Sequence, residues 1–394
     1  MDWDNWSINR ISVRRLFWIL VVATILICLL PLLLTRFSVV DFTNTGQIGD
    51  TIGGIMGPFV AIVASFLTFF AFLMQYQANE IQKKELKRQS KVHDQEQFEA
   101  KLYQMLDVYN KNVSRLRAGE LEGKRAMPEF LSELHFIYRC VRYAYMSIKE
   151  TGTALLVTDK AQREDMELYM KEVLKDAGAE NLELMKFAYA LFFYGFPRVN
   201  PYEKYKGKYV LENIIYQSLL RIPFEKSILR YQDYFLSDRI GITQYPNSNN
   251  AHYQMMKGHH EELGTYYRQM FHIFTSIANL GERIADEDQK YRYAKLLRSQ
   301  LTDCEQALLY YNSMSEMGTA WNKKNASLGN TRDGMGLIAR FRLIKNIPGN
   351  YLFFGVTPDI VYENEIKIWQ EYGKDFFEHP SFMKEGAFYY SKKT

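Results

Sequence analysis

Hydrophobic positions follow two rhythms along this chain. Near the N-terminus they are continuous. Leu16–Leu34 (LFWILVVATILICLLPLLL) is 19 residues without a charge, about 28 Å as a helix and so the thickness of a bilayer core. Ile52–Met74 is a second uncharged run, of 23 residues. The polar connection TRFSVVDFTNTGQIGDT separates the two, so the pattern predicts a transmembrane hairpin.

From Gln75 onward the rhythm changes. QYQANEIQKKELKRQSKVHDQEQ contains no Gly or Pro and extends the second span as a polar helix. Amphipathic periodicity then sets in, with Phe98, Leu102, Met105, Leu106, Tyr109 and Val113 on one stripe. A helix opens at Pro128, a residue suited to a first turn, and repeats Phe130, Leu134, Ile137, Val141, Tyr145 and Ile148. Further helices are predicted at 162–176, 181–194, 208–221, 224–236, 261–283 and 286–301. Thr302 and Glu305 form a capping box that starts another. Turn formers mark loops at 241–260 and 318–336, and one more helix follows the second loop. The expected fold class is mainly α: a two-helix transmembrane hairpin followed by a large all-helical cytoplasmic domain.

Charge sets the orientation. Eight basic residues (Arg10, Arg14, Arg15, Lys83, Lys84, Lys87, Arg88, Lys91) flank the runs, and only Arg36 lies in the connection. The positive-inside rule places both termini of a two-pass protein in the cytoplasm. The expected organisation is a cytoplasmic segment (1–15), spans at 16–34 and 52–74, an external connection (35–51), a membrane-proximal helix (75–95) and the helical domain (96–394). A twin-arginine signal peptide, the rival reading of SVRRLFWIL, lacks a small-residue cleavage site. Neither run holds an ionisable residue, which argues against an intramembrane ion path.

Composition adds three limits. A net charge of +4 over 394 residues is no nucleic-acid signature. Three cysteines, Cys28, Cys140 and Cys304, form no CxxC site or disulfide framework. The 28 Tyr and 26 Phe predict thick aromatic packing between helices, with an exposed aromatic face as the alternative.

Within the second run, every fourth residue is small: Gly53, Gly57, Ala61 and Ser65 share one helix face. Small faces let helices approach closely in lipid. The partner is either the first span or the same face of a second subunit, so a homo-oligomer is expected.

Chemistry is sparse. There is no P-loop, GxSxG or HExxH, and GNTRDGMG (329–336) follows no strand. His252, His259 and His260 lie close together beside Glu261 and Glu262, but adjacent histidines on a helix point apart, so no metal site and no cofactor are expected. Arg268 and His272 are four apart on one helix face. Such a pair resembles the active-site signature of HEPN ribonucleases, where His moves a proton and Arg holds a phosphate. That signature carries a longer gap. RQSKVH (Arg88 to His93) has the right gap but no apolar stripe beside it.

Taken together, GQIGDTIGGIMGPFVAIVASFLTFFAFLMQYQAN, FEAKLYQMLDVYNKNV, YYRQMFHIFTSI and YAKLLRSQLTDCEQALLYYNSMSEMG resemble the phage abortive infection family of AbiC-like bacterial membrane proteins. The resemblance covers 46–113 and 263–318. It rests on Gly53, Gly54, Arg268, His272, Arg298, Gln300, Leu301, Asn312 and Gly318, and among these Gly54, Arg298, Gln300, Leu301, Asn312 and Gly318 are expected to be structural. What it implies is anti-phage defence: a helical domain that senses infection, through a phage or host protein trigger, and spans that assemble in the lipid bilayer. The alternative is a membrane-tethered HEPN-like ribonuclease using Arg268 and His272. A membrane scaffold without a defence role is a third reading.

Overall fold

A computed structural model describes residues 45–152, 157–195, 206–221, 258–347 and 352–378, with seven further helical positions between Trp18 and Leu29. The chain divides into two units, Met1–His93 and Asp94–Thr394. The described residues are mainly helical.

Apart from those seven positions, the first predicted span lies outside the described residues, as does 35–44. Helix α1, Thr45–Arg115, contains the second span, the polar stretch and the first amphipathic stripe as one element. Thr45–Thr51, the end of the expected connection, is part of this helix. Adding turns to an existing helix needs no new nucleus, so the apolar run propagates helix into its flank. Pro58 lies inside α1. The helix includes a window long and apolar enough to cross a membrane, none of it buried, and Phe59, Ile62, Phe66 and Phe69 are exposed there.

The second unit is built around the end of α1. Leu102, Leu106, Tyr109 and Val113 are buried, with Phe98 and Met105 packed beside them. A two-strand hairpin follows, β1 (Arg117–Ala118) antiparallel to β2 (Leu121–Glu122). Helix α2, Met127–Thr151, opens with its proline and buries every position of the predicted stripe. It stops at Gly152, whose φ of 85° suits glycine. Helices α3 (Lys160–Glu172) and α4 (Ala177–Tyr194) start earlier than hydrophobicity predicts. The carboxylates of Asp159 and Asp176 cap them by accepting from Gln162 N and Ala179 N. Helix α5 is Lys206–Arg221. The predicted helix 224–236 and loop 241–257 lie outside the described residues.

Three helices carry the next segment: α6 (His260–Ala278), α7 (Glu287–Arg298) and α8 (Asp303–Met314). The Thr302–Glu305 capping box forms as expected. The predicted loop 318–336 contains short 3₁₀ turns at Glu316–Asn322, Ala326–Leu328 and Arg332–Gly334. Helix α9 (Leu337–Arg340) is a single turn, and α10 (Pro358–Val361) and α11 (Glu363–Glu371) follow. Helix α2 packs on α4, α5 and α8, while α6 packs on α4 and α7. Rings fill the spaces between: Tyr189 stacks on Phe193, Tyr311 on Phe354 and Phe274 on Phe341. Among the described residues of this second unit, most aromatic side chains are buried.

Candidate functional site

The one histidine–arginine pair that the sequence offers for catalysis lies on solvent-facing positions of α6. Arg268 and His272 are both exposed, and the Arg268 guanidinium donates to Thr265 Oγ1 at 3.2 Å. The opposite face, with Leu263, Tyr266, Tyr267, Met270, Ile273 and Phe274, makes the core. Helical periodicity therefore turns this pair outward. Arg88 and His93 are likewise exposed on α1, with Arg88 bonded to Glu85.

Polar groups converge inside the domain instead. The Glu305 carboxylate is fully buried. Its Oε2 accepts from Thr302 N at 2.8 Å and Thr302 Oγ1 at 2.9 Å, while Oε1 accepts from the hydroxyls of Tyr109 at 3.3 Å and Tyr266 at 3.2 Å. Burial, then the nearby charge, raises both phenols well above their ordinary range. They stay protonated and serve as donors. A buried carboxylate needs such donors to offset lost hydration, so α1, α6 and α8 meet at one satisfied anion.

A second buried pair joins α2 to the start of α6. His259 Nε2 lies 2.8 Å from Glu133 Oε2, both side chains wholly enclosed, and the imidazole sits edge-on between Phe130 and Phe192. His260 is exposed, so the adjacent histidines do point apart. His252 lies outside the described residues. Among the described residues no group of three His, Cys, Asp or Glu is placed to hold a metal.

Of the expected motif residues, Arg298, Leu301, Asn312 and Gly318 are buried in this domain. Asn312 Nδ2 donates to Tyr189 OH at 2.9 Å, and its Oδ1 accepts from Trp321 Nε1 at 3.2 Å. Gly318 lies against the Asn312 carbonyl so closely that a Cβ would come within 1.9 Å of it. Leu301 is buried, and the Gln300 carbonyl accepts from Lys124 Nζ at 2.6 Å. Arg298 is buried, but it does not serve carbonyls at its own helix end. Its Nη1 donates to the carbonyls of Phe341 at 3.0 Å and Arg342 at 3.3 Å and to Tyr291 OH at 2.9 Å. Gly53, Gly54 and Gly57 are exposed, and a Cβ on any of them would meet nothing within 4 Å.

One further histidine makes the fold acid-sensitive. His135 on α2 is enclosed against Phe354 and bonded to the Leu352 carbonyl at 3.1 Å. Burial drives its pKa down to about 3 from 6.5. The folded protein thus resists a proton that the unfolded chain accepts, and stability is lost as pH falls from about 6.5 towards about 3. The full loss is on the order of 5 kcal/mol, with about 2 kcal/mol gone by pH 5. Urea unfolding of wild type and His135→Gln at pH 7 and pH 5 checks this. The wild type should lose about 2 kcal/mol more than the variant over that interval.

Residues 258–351 match a family model described as "Putative phage abortive infection protein". The match begins at the Gly258–His259 entry to α6 and contains α6, α7, α8, the 3₁₀ turns and α9. It is shifted relative to the resemblance: 46–113 lies outside it, and 319–351 inside. No curated protein and no solved structure matches the chain.

Proposed function

We propose that this chain, whose residues 258–351 carry the abortive infection signature, is a two-pass protein of the bacterial inner membrane that acts in anti-phage defence. In this reading Leu16–Leu34 and Ile52–Met74 form a hairpin with both termini cytoplasmic. The helical domain senses infection through a phage or host protein trigger, and the spans assemble over Gly53, Gly57, Ala61 and Ser65 to act on the bilayer. The observation that carries the reading is the family match. Its segment supplies the partners of buried groups elsewhere in the domain, Glu133, Tyr109 and Tyr189. The charge asymmetry around the two apolar runs supports the orientation.

The test is a phage challenge of cells expressing the protein, with membrane potential and RNA integrity followed together. Early depolarisation with intact RNA is the expected result. RNA cleavage before depolarisation would replace it with the ribonuclease reading. Two variants sharpen the choice. His272→Ala and Arg268→Lys are at exposed positions, where substitutions change stability by no more than about 0.5 kcal/mol. Both are expected to fold and to protect fully; loss of protection by folded His272→Ala would make the pair functional.

A further inference from the structure

Among the described residues, the buried arginines of α7 and of the turn after α9 have no carboxylate partner. Arg298 and Arg342 are 3% and 5% exposed; both guanidiniums donate to the Tyr291 hydroxyl, and otherwise only to neutral backbone carbonyls, those of Phe341 and Arg342 for Arg298 and that of Asp375 for Arg342. Arg342 also lies over the Tyr291 ring at 4.9 Å and the Trp369 ring at 4.3 Å. Arg332 lies over the Trp369 ring at 5.5 Å, and Lys374 Nζ is 6.0 Å from the Tyr291 ring. Four cations thus surround two rings. The one carboxylate in ion-pair contact with any of them, among the described residues, is Asp288, which reaches Arg332 at 2.9 Å and Lys374 at 4.0 Å. Arg298 and Arg342 form no ion pair with a described carboxylate. Arg342 Nε is buried and has no hydrogen-bond partner among the described residues.

Buried charges are normally paired, because a desolvated cation is costly. Here a neutral phenol oxygen stands where a negative oxygen would be better held. Burial alone would raise the Tyr291 pKa, but Arg298 and Arg342 outweigh it and lower the value. Burial, together with the charges of Arg298 and Arg332, lowers that of Arg342. Both directions register an excess of positive charge. Arg298 and Arg342 also present planar donor forks, the geometry that grips phosphate oxygens in pairs.

We propose that Arg298, Arg342 and Arg332, gathered around Tyr291 and Trp369, form a binding site for a phosphate group, with Lys374 at its rim. The side chains of Lys374 and Asp288 are 45% and 66% exposed, so they form the solvent side of the site. An arriving phosphate takes the donors that Tyr291 now shares, and the phenol yields its place. The phosphate belongs either to a soluble nucleotide or to a lipid headgroup. The site stands apart from the defence reading, since binding is measured on the purified chain.

The experiment uses the full chain in neutral-lipid nanodiscs. Thermal midpoints and isothermal titrations are taken with inorganic phosphate, AMP and ATP, against chloride at matched ionic strength. Co-sedimentation with phosphatidic acid vesicles supplies the lipid arm. Phosphate or nucleotide should raise the midpoint beyond chloride, or the vesicles should capture the protein. Arg342→Gln should weaken that binding about tenfold or more, the loss of a charge-assisted contact, and Tyr291→Phe should tighten it by removing the competing acceptor. Should Arg342→Gln not fold, Arg332→Gln, nearer the surface, takes its place with the same expected direction. Stabilisation equal to that of chloride in every arm, or binding unchanged in the arginine variants, would overturn the site.

Discussion

Gly318→Ala is expected to destabilise the domain by about 3 kcal/mol or more, at the severe end for overpacking. A methyl group there meets the Asn312 carbonyl oxygen at 1.9 Å and the Asn312 side-chain oxygen at 2.9 Å. Relief requires the backbone to move, and Asn312 is held from several sides. Its amide donates to Tyr189 and accepts from Trp321, while its carbonyl receives Ser315 N at 3.1 Å and Ser315 Oγ at 2.7 Å. Shifting the turn therefore strains α4, α8 and the Trp321 packing together. Chemical denaturation of the purified domain would measure the loss. A denaturant midpoint unchanged from wild type would mean that the turn repacks freely, and the structural role assigned to Gly318 and Asn312 would fail.

The second large effect is expected in cells. Gly57→Ile should abolish phage protection while leaving amount, insertion and domain folding unchanged. Isoleucine is more soluble in lipid than glycine. A Cβ at position 57 touches nothing within 4 Å, so the described fold presents no obstacle to it. The added bulk would instead hold apart a helix packed from outside along Gly53, Gly57, Ala61 and Ser65, where close approach is the main attraction in a bilayer. Phe59→Leu, on a bulky exposed position, is the control and should protect normally. The two readouts are plaque counts and detergent-resistant oligomers. Full protection with the oligomer intact would reduce the spans to an anchor.

Much of the helical layout was legible because stripes and caps are local. Thr302 and Glu305 are three residues apart and announced α8. Pro128 and the six apolar positions behind it announced α2. Boundaries that depend on one carboxylate, at Asp159 and Asp176, were missed because periodicity begins only after the cap. Helices α10 and α11 were missed as well; each is short, and tertiary contacts such as Trp369 Nε1 to the Ala339 carbonyl at 2.9 Å fix the latter. The polar centres were least legible. Arg298 lies in the last turn of α7, yet two of its three acceptors lie 43 and 44 residues further on. Nothing local marks Glu133, and only the fold sets it beside His259. Pairing of this kind leaves no local spacing in a sequence.

The joins between the two halves of the domain set a timetable for its making. His259 follows Glu133 by 126 residues, and Tyr266 follows Tyr109 by 157. A ribosome adding about 5–20 residues per second delivers the histidine roughly 6–25 s after the glutamate. Until then the buried Nε2–Oε2 contact that joins α2 to the start of α6 cannot form. The nascent first half therefore spends that interval without the contacts that α6 brings to it. A message cut short before codon 258 would encode only one side of these joins.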